Sequence, residues 1–289
     1  MFLSVTLNGL MIGGLYVLMG IGFSLQWGIS GIINLSFGSM TVLASFFAFT
    51  LYNLLGIQPL ISALPIAAFV FVLGVGMYHF LLSSAMRKAP LFVTLIITFA
   101  VGLVIENFML LAWGSDYRFI TSPYSSLTVQ LLETNMPLIK IIVLIFSFIV
   151  VYLVALFMAK TKTGKAIQAA CLNPKGARSI GIEVSRMYAI NFGLAAAIGA
   201  VAGALLTNLA AFSVVLSGSL QAKVFIIAIL GGLGNIWGAA LGGMVLALVE
   251  SYAAITIGPQ YNEAIGLVVM VLVLVLKPRG LIGKKYWDV

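Results

Sequence analysis

The chain has 289 residues, 62% of them apolar and only 8% charged, with a formal net charge of +8 and a mean hydropathy of +1.19. Soluble domains carry about 25% charged residues, so the composition excludes an ordinary water-soluble domain and points to a polytopic membrane protein. The basic excess is not a nucleic-acid footprint, because twelve of the fifteen Lys and Arg flank apolar runs, at Arg87-Lys88, between Lys160 and Arg186, and from Lys277 to Lys285, the pattern of cytoplasmic loops.

A crossing helix needs about 20 apolar residues. The first candidate runs from Val5 to Trp27; it has no basic leader and no small-residue cleavage site, so no cleavable signal is expected. Gly28 to Met40, with glycines at 28, 31 and 38 and the polar run Asn34-Leu35-Ser36, interrupts the hydrocarbon and leads into a run ending near Leu55. Gly56 to Pro59 reads as a turn. Leu60–Met86 and Leu91–Trp113 are the next runs. Gly114–Pro137, with Asp116, Arg118, Pro123 and Glu133, is a polar loop expected outside, Asp116 and Arg118 forming a solvated pair. Leu138–Ala159 returns inside. Met187–Ala210 is rich in Gly and Ala, which lets helix backbones approach closely. Ala211–Gln221 reads as a modest outer loop, and Val224–Leu230 is too short to span before Gly231-Gly232-Leu233-Gly234. Gly238–Tyr252, a turn at Gly258-Pro259-Gln260 and Asn262–Leu276 complete the chain.

Parity constrains this layout. Arg186 and Lys277 should share the inner face, so the crossings between them must be even. Three long runs would be odd. The short segment before Gly231 is therefore expected to cross as well, with the preceding loop dipping in, or else to follow a re-entrant path. Three full crossings before Arg87 would put Met1 outside; a re-entrant Gly28–Met40 would reverse that. The expected fold class is all-α: a polytopic transmembrane helix bundle of about eight spans with broken helices, one domain over residues 1–289.

Little in the chain supports enzyme chemistry. No GxxxxGK[ST] string occurs, so ATP is not bound by that device. His79 is the single histidine and Cys171 the single cysteine, which leaves no metal-ligand spacing and no internal disulfide; no cofactor is expected. His79 reads as interfacial and Cys171 as a small apolar filler. Discontinuous helices in corresponding places point to a transport path, because unwound backbone supplies donors and acceptors at membrane depth. Gly28–Met40 and Gly231–Gly243 fit that description, which makes Asn34, Ser36, Gly231, Gly232, Gly234 and Asn235 candidate path residues. The competing reading is that the glycines serve tight packing alone. Glu106, beside Asn107, sits inside an apolar run, where a charge costs about 2.5–3.5 kcal/mol on insertion scales. It either lines a pathway, with or without a proton-linked role, or is a neutral donor to another helix. Glu250 and Glu263 flank the outer turn, within reach of water.

Lys160–Arg186, KTKTGKAIQAACLNPKGARSIGIEVSR, is the long polar segment of the chain and holds six basic residues. Asn173 can cap a short helix opened by Pro174 and closed at Gly181. Lys175 and Arg178 stand on that helix, and its small residues suit a docking element; an interfacial helix lying on lipid is the alternative.

The order Gly164, Ala170, Ala177, Gly181-Ile182 and Arg186 resembles the cytoplasmic coupling loop of ABC-importer permeases, of the LivH type that serves branched-chain amino acids. Ile229–Ala239, with Gly242-Gly243 and Glu250, resembles the Gly-rich late segment of that family, and Lys277-Pro278-Arg279-Gly280-Leu281-Ile282-Gly283 its ending. The resemblance covers essentially the whole chain. It departs at Asn173, where the family often carries an acidic residue. The resemblance implies a non-enzymatic transport subunit in the inner membrane of a bacterium or archaeon, with a cytoplasmic C-terminus. It implies a second permease subunit in a homo- or heterodimer, two cytoplasmic ATPase subunits and an extracytoplasmic solute-binding protein. Branched-chain amino acids are the implied solutes, with urea or short amides as the alternative; a self-sufficient secondary transporter is the rival from another class.

Overall fold

The computed structural model describes residues 2–88, 90–121, 127–131 and 134–282. Pro123, Glu133, Gly283, Lys284 and Lys285 lie outside the described residues, as do the side chains of Arg87 and Lys88. In chain order the helices are α1 (Phe2–Ser30), α2 (Phe37–Leu55), α3 (Pro59–Met77, continued by a π-turn at Tyr78–Leu82), α4 (Ser83–Lys88) and α5 (Pro90–Trp113). A hairpin pairs β1 (Thr128–Leu131) with β2 (Thr134–Pro137). Then come α6 (Leu138–Lys160), α7 (Lys162–Leu172), α8 (Pro174–Ser179), α9 (Val184–Leu206), α10 (Leu216–Gly231), α11 (Ile236–Thr256) and α12 (Asn262–Leu276). Among the described residues, eight helices are long and apolar enough to cross a membrane, and α10 is a shorter ninth. The protein is an all-α, multi-pass membrane bundle.

The centre of the bundle is α9. Its Ala and Gly residues are nearly all buried, and they let α1, α2 and α3 approach to backbone distance. At Gly203 a side chain would collide with the Thr41 carbonyl, and at Gly193 with that of Phe71. Small residues take this role because lipid gives helices no hydrophobic reason to associate, so close packing has to do so. By contrast α5, α6 and α12 bury few of their side chains.

Two crossings are broken, in opposite senses. After α1 ends at Ser30 the chain has no regular structure over residues 31–34, with Gly31 at φ +68°, and turns at Leu35-Ser36, and α2 starts only at Phe37. Phe37 lies against Gly199 and Thr41 against Gly203, so α2 begins well along α9 rather than at its end. After α9, residues 207–215 follow an irregular path, pairing Phe212 with Arg118 of the loop after α5, and α10 starts at Leu216. The outer-loop reading of Ala211–Gln221 is thus corrected: Leu216–Gln221 forms the first turns of α10. Arg118 does not pair with Asp116 among the described residues; its guanidinium donates to the Trp113 carbonyl at 2.9 Å and lies over the Phe49 ring.

One face gathers the basic segments. Cys171 Sγ donates to the Gly28 carbonyl at 3.3 Å, and a side chain at Gly28 would collide with the Gly234 backbone. Leu281 N donates to Leu230 O at 2.8 Å, and Asn235 Nδ2 to Ile282 O at 2.7 Å. The end of α1, the Lys160–Arg186 segment, the α10–α11 turn and the tail after Lys277 therefore share that face. Between Arg186 and Lys277 the chain crosses on α9, on 207–215 with α10, on α11 and on α12, an even number, as parity required. Phe2 lies at the opposite face, because the Gly28–Met40 stretch crosses and does not re-enter.

Candidate functional site

The two broken crossings meet at the first residues of α2 and α10. The Gly38 amide donates to Gln221 Oε1 at 2.8 Å, and Gln221 Nε2 donates to the Asn34 carbonyl at 3.1 Å. A Cβ at Gly38 would collide with the Ser217 carbonyl, so only glycine lets the helix starts come this close. The unwound backbone before α2 is satisfied by side chains, as hydrocarbon demands. Asn34 Oδ1 accepts from Ser36 N at 3.0 Å and from Ser36 Oγ at 2.6 Å. Thr98 of α5 accepts from Leu35 N at 3.1 Å and sits 3.2 Å from the Ile33 carbonyl.

A cavity of about 630 Å³ opens beside this junction. Its polar lining comes from Ser39, Glu106, Asn107, Ser217, Gly218 and Gln221, and its walls are apolar residues of α5 and the start of α10. Ser39 Oγ donates to Glu106 Oε1 at 2.8 Å, which joins α2 to α5, and Asn107 Nδ2 donates to Leu103 O one turn earlier. Glu106 thus both lines a cavity and bonds a neighbouring helix. Asn34 and Ser36 are fully buried beneath the junction. Gly231, Gly232, Gly234 and Asn235 stand apart, at the far end of α10. There Gly232 and Gly234 take positive φ, Gly231 packs on Gly238, and Asn235 caps α11 through Trp237 N and Gly238 N.

The Lys160–Arg186 segment folds into two short helices. Thr161 caps α7 through Gly164 N at 2.9 Å, and Gly164 lies so close to the Phe157 carbonyl that no side chain fits. Asn173 caps α8 through Gly176 N at 2.9 Å, Pro174 opens it, and Gly181 follows with φ +84°. Ala170 and Ala177 are buried against Val184, with Ile182 packed alongside. The surface left outside is Leu172 (65% exposed) and Ile180 (74% exposed) with Asn173, Lys175, Arg178 and Gly181. Burial pushes the Cys171 thiol above its usual value.

A third polar group lies within the bundle. Lys223 Nζ of α10 is 2.7 Å from Glu250 Oε2 of α11, Tyr16 of α1 donates to the same oxygen at 2.5 Å, and Lys223 also bonds the Tyr16 hydroxyl. Glu250 is 5% exposed, which corrects its reading as a water-reaching residue. Its partner is a cation on a neighbouring helix, 27 residues away in the chain. Glu263 is exposed. Sequence reasoning missed Ser39, Thr98, Gln221 and Lys223; the Gln221–Lys223 pair of polar residues amid an apolar stretch was the available signal.

The sequence is similar to those of known permease proteins. The sequence model of the family described as branched-chain amino acid transport system, permease component, matches residues 5–274. The chain is 28% identical to the high-affinity branched-chain amino acid transport system permease protein BraD of Pseudomonas aeruginosa, over 98% of this chain and 96% of that protein. It is 26% identical to the corresponding permease protein LivH of Escherichia coli, over 98% and 96%. It is also 29% identical to the probable branched-chain amino acid transport permease protein LivH of Methanocaldococcus jannaschii, over 93% and 89%. No solved structure matches.

Proposed function

The chain belongs to the permease-component family of branched-chain amino acid transport systems, and from that premise we propose that it forms the membrane pathway of an ABC importer for leucine, isoleucine and valine. The observation that carries this reading is the family match along residues 5–274, with relatives of nearly equal length named for that transport. The junction of α2 and α10 supplies the path, with Asn34 and Ser36 shaping it and Glu106 and Asn107 facing it. The cavity is open along α5, where Phe99, Leu103 and Leu110 are exposed. A second permease subunit covers that side, because Glu106 and Asn107 would otherwise face hydrocarbon.

Lys160–Arg186 is the coupling loop and its face is cytoplasmic, on the strength of its basic residues and of those after Lys277. The C-terminus shares that face. Leu172 and Ile180, flanked by Lys175 and Arg178, seat on an ATPase subunit; Gly164, Ala170, Ala177, Gly181 and Ile182 shape the loop that presents them. An extracytoplasmic binding protein delivers the solute at the face of the β1–β2 hairpin. The membrane is the cytoplasmic membrane of a bacterium or archaeon.

The test is reconstitution. Proteoliposomes holding this chain, its partner permease and ATPase subunits, supplied with binding protein, should accumulate L-leucine only with ATP inside the compartment the coupling loop faces. Uptake independent of ATP would overturn the reading in favour of a secondary transporter.

A further inference from the structure

The cavity at the α2–α10 junction has two unlike poles. One is Glu106, a carboxylate that receives a hydrogen bond from Ser39 and has no cationic partner among the described residues, whose single ion pair is Lys223–Glu250. The other is the start of α10. Val214, Val215, Ser217 and Gly218 all line the cavity, and no side chain caps the helix. The Leu216 and Ser217 amides turn back to the Ser213 and Val214 carbonyls. Ser217 is 1% exposed and its hydroxyl has no partner. A side chain added at Gly218 would meet open space, and Gly218 does not take positive φ. The first turn of a helix carries positive partial charge and favours an anion, and an unpaired carboxylate facing an apolar space favours a cation. Between the poles the walls are Leu35, Phe99, Leu103 and Leu110.

The geometry points to a zwitterion subsite: Glu106 takes the α-ammonium of an amino acid, the α10 start with Ser217 takes its α-carboxylate, and the α5 wall takes an apolar side chain. This rests on the permease role proposed above and adds to it that the membrane path itself selects the solute class. A cavity of about 630 Å³ is within the roughly 300–1,000 Å³ of small-molecule sites. Both poles are fixed by the bundle, Glu106 through Ser39 and the α10 start through Gln221, so neither has to be ordered by the solute.

The experiment is binding of tritiated L-leucine to the detergent-solubilised complex of this chain with its partner permease and ATPase subunits, without the solute-binding protein. Unlabelled L-leucine should displace the label. 4-Methylpentanoate, which lacks the ammonium, and isopentylamine, which lacks the carboxylate, should each compete at least tenfold less well. Glu106→Gln should weaken L-leucine about 10- to 100-fold, the effect of losing a hydrogen bond to a charged group, and should leave the weak competition by 4-methylpentanoate unchanged. Gly218→Met, which fills the open space, should abolish binding in a complex that still co-purifies intact. 4-Methylpentanoate competing as well as L-leucine, Glu106→Gln binding at parental affinity, or no binding by the parental complex would each overturn the inference. The analogue competition needs no variant and decides the matter even where a substitution prevents assembly. A complex that accumulates L-leucine with ATP but shows no binding here sinks the subsite and leaves the permease role standing; absent ATP-driven uptake sinks the role itself.

Discussion

Removing Lys223 should unsettle the bundle more than removing the whole Lys223–Glu250–Tyr16 group. At 2.7 Å and an effective dielectric of about 20, the ion pair attracts by about 6 kcal/mol. Taking two ions out of water costs several kcal/mol each, so the pair itself contributes little net stability. Lys223→Met removes the attraction and keeps the desolvated Glu250, whose Oε1 already lacks a partner; breaking one half of a buried pair costs about 3–5 kcal/mol. Lys223→Met/Glu250→Leu avoids the orphaned charge but leaves the Tyr16 hydroxyl unpaired, at about 1–3 kcal/mol. Adding Tyr16→Phe removes that too and should return stability to near the parental value. Thermal unfolding of the purified protein in detergent, followed by near-ultraviolet fluorescence, reads the series. The single variant should melt on the order of 10 °C below the parent and the triple within a few degrees of it. A single variant that melts at the parental temperature, or a triple that melts below the single, would refute the pairing argument.

Sidedness can be read chemically in a Cys171→Ser background, where cysteines at Tyr117 and Lys175 should label with an impermeant maleimide from opposite faces; labelling of both from one face would break the topology. Native Cys171 should react with maleimide more slowly than a cysteine at Lys175 at neutral pH, and speed up as pH rises, because burial raises its thiol pKa and the thiolate is the nucleophile; equal rates would contradict its packing against Gly28. Ile180→Glu lies on the exposed side of the Lys160–Arg186 loop and should cost under about 0.5 kcal/mol of stability while, on the proposed coupling role, releasing the ATPase subunit on purification, whereas Ala177→Arg should disorder the loop itself. An Ile180→Glu complex that keeps its ATPase and its transport rate would remove the docking role of that surface.

What could be read from the sequence was mostly local or countable. The Asn173 cap, Pro174 start and Gly181 stop rest on contacts within eight residues, so propensity and capping chemistry decide them. The crossing by the segment before Gly231 followed from charge parity, which needs no contact at all. The break in the second half was legible only as a loop at Ala211–Gln221 that dips in, and not as a path element, because it carries no glycine: residues 207–215 unwind at Thr207, Asn208 and Ser213, whereas the visible glycines at 231–234 form a packed turn at the far end of α10. Glu250 looked water-facing because it lies near the end of an apolar run. Its partner Lys223 sits across the Gly231–Gly234 turn, and only the antiparallel return of α11 beside α10 brings the two charges together. The same holds for Ser39 with Glu106, 67 residues apart.

The claim at the centre of this account is that solute passes through the junction of α2 and α10. Gly218→Cys in the Cys171→Ser background places a thiol in the cavity, and the reconstituted transporter can be assayed for ATP-driven L-leucine uptake before and after treatment with a small methanethiosulfonate reagent. Modification should stop uptake, and turnover with saturating L-leucine should slow the modification. Uptake at the unmodified rate by a transporter whose Gly218→Cys thiol is fully modified would contradict it.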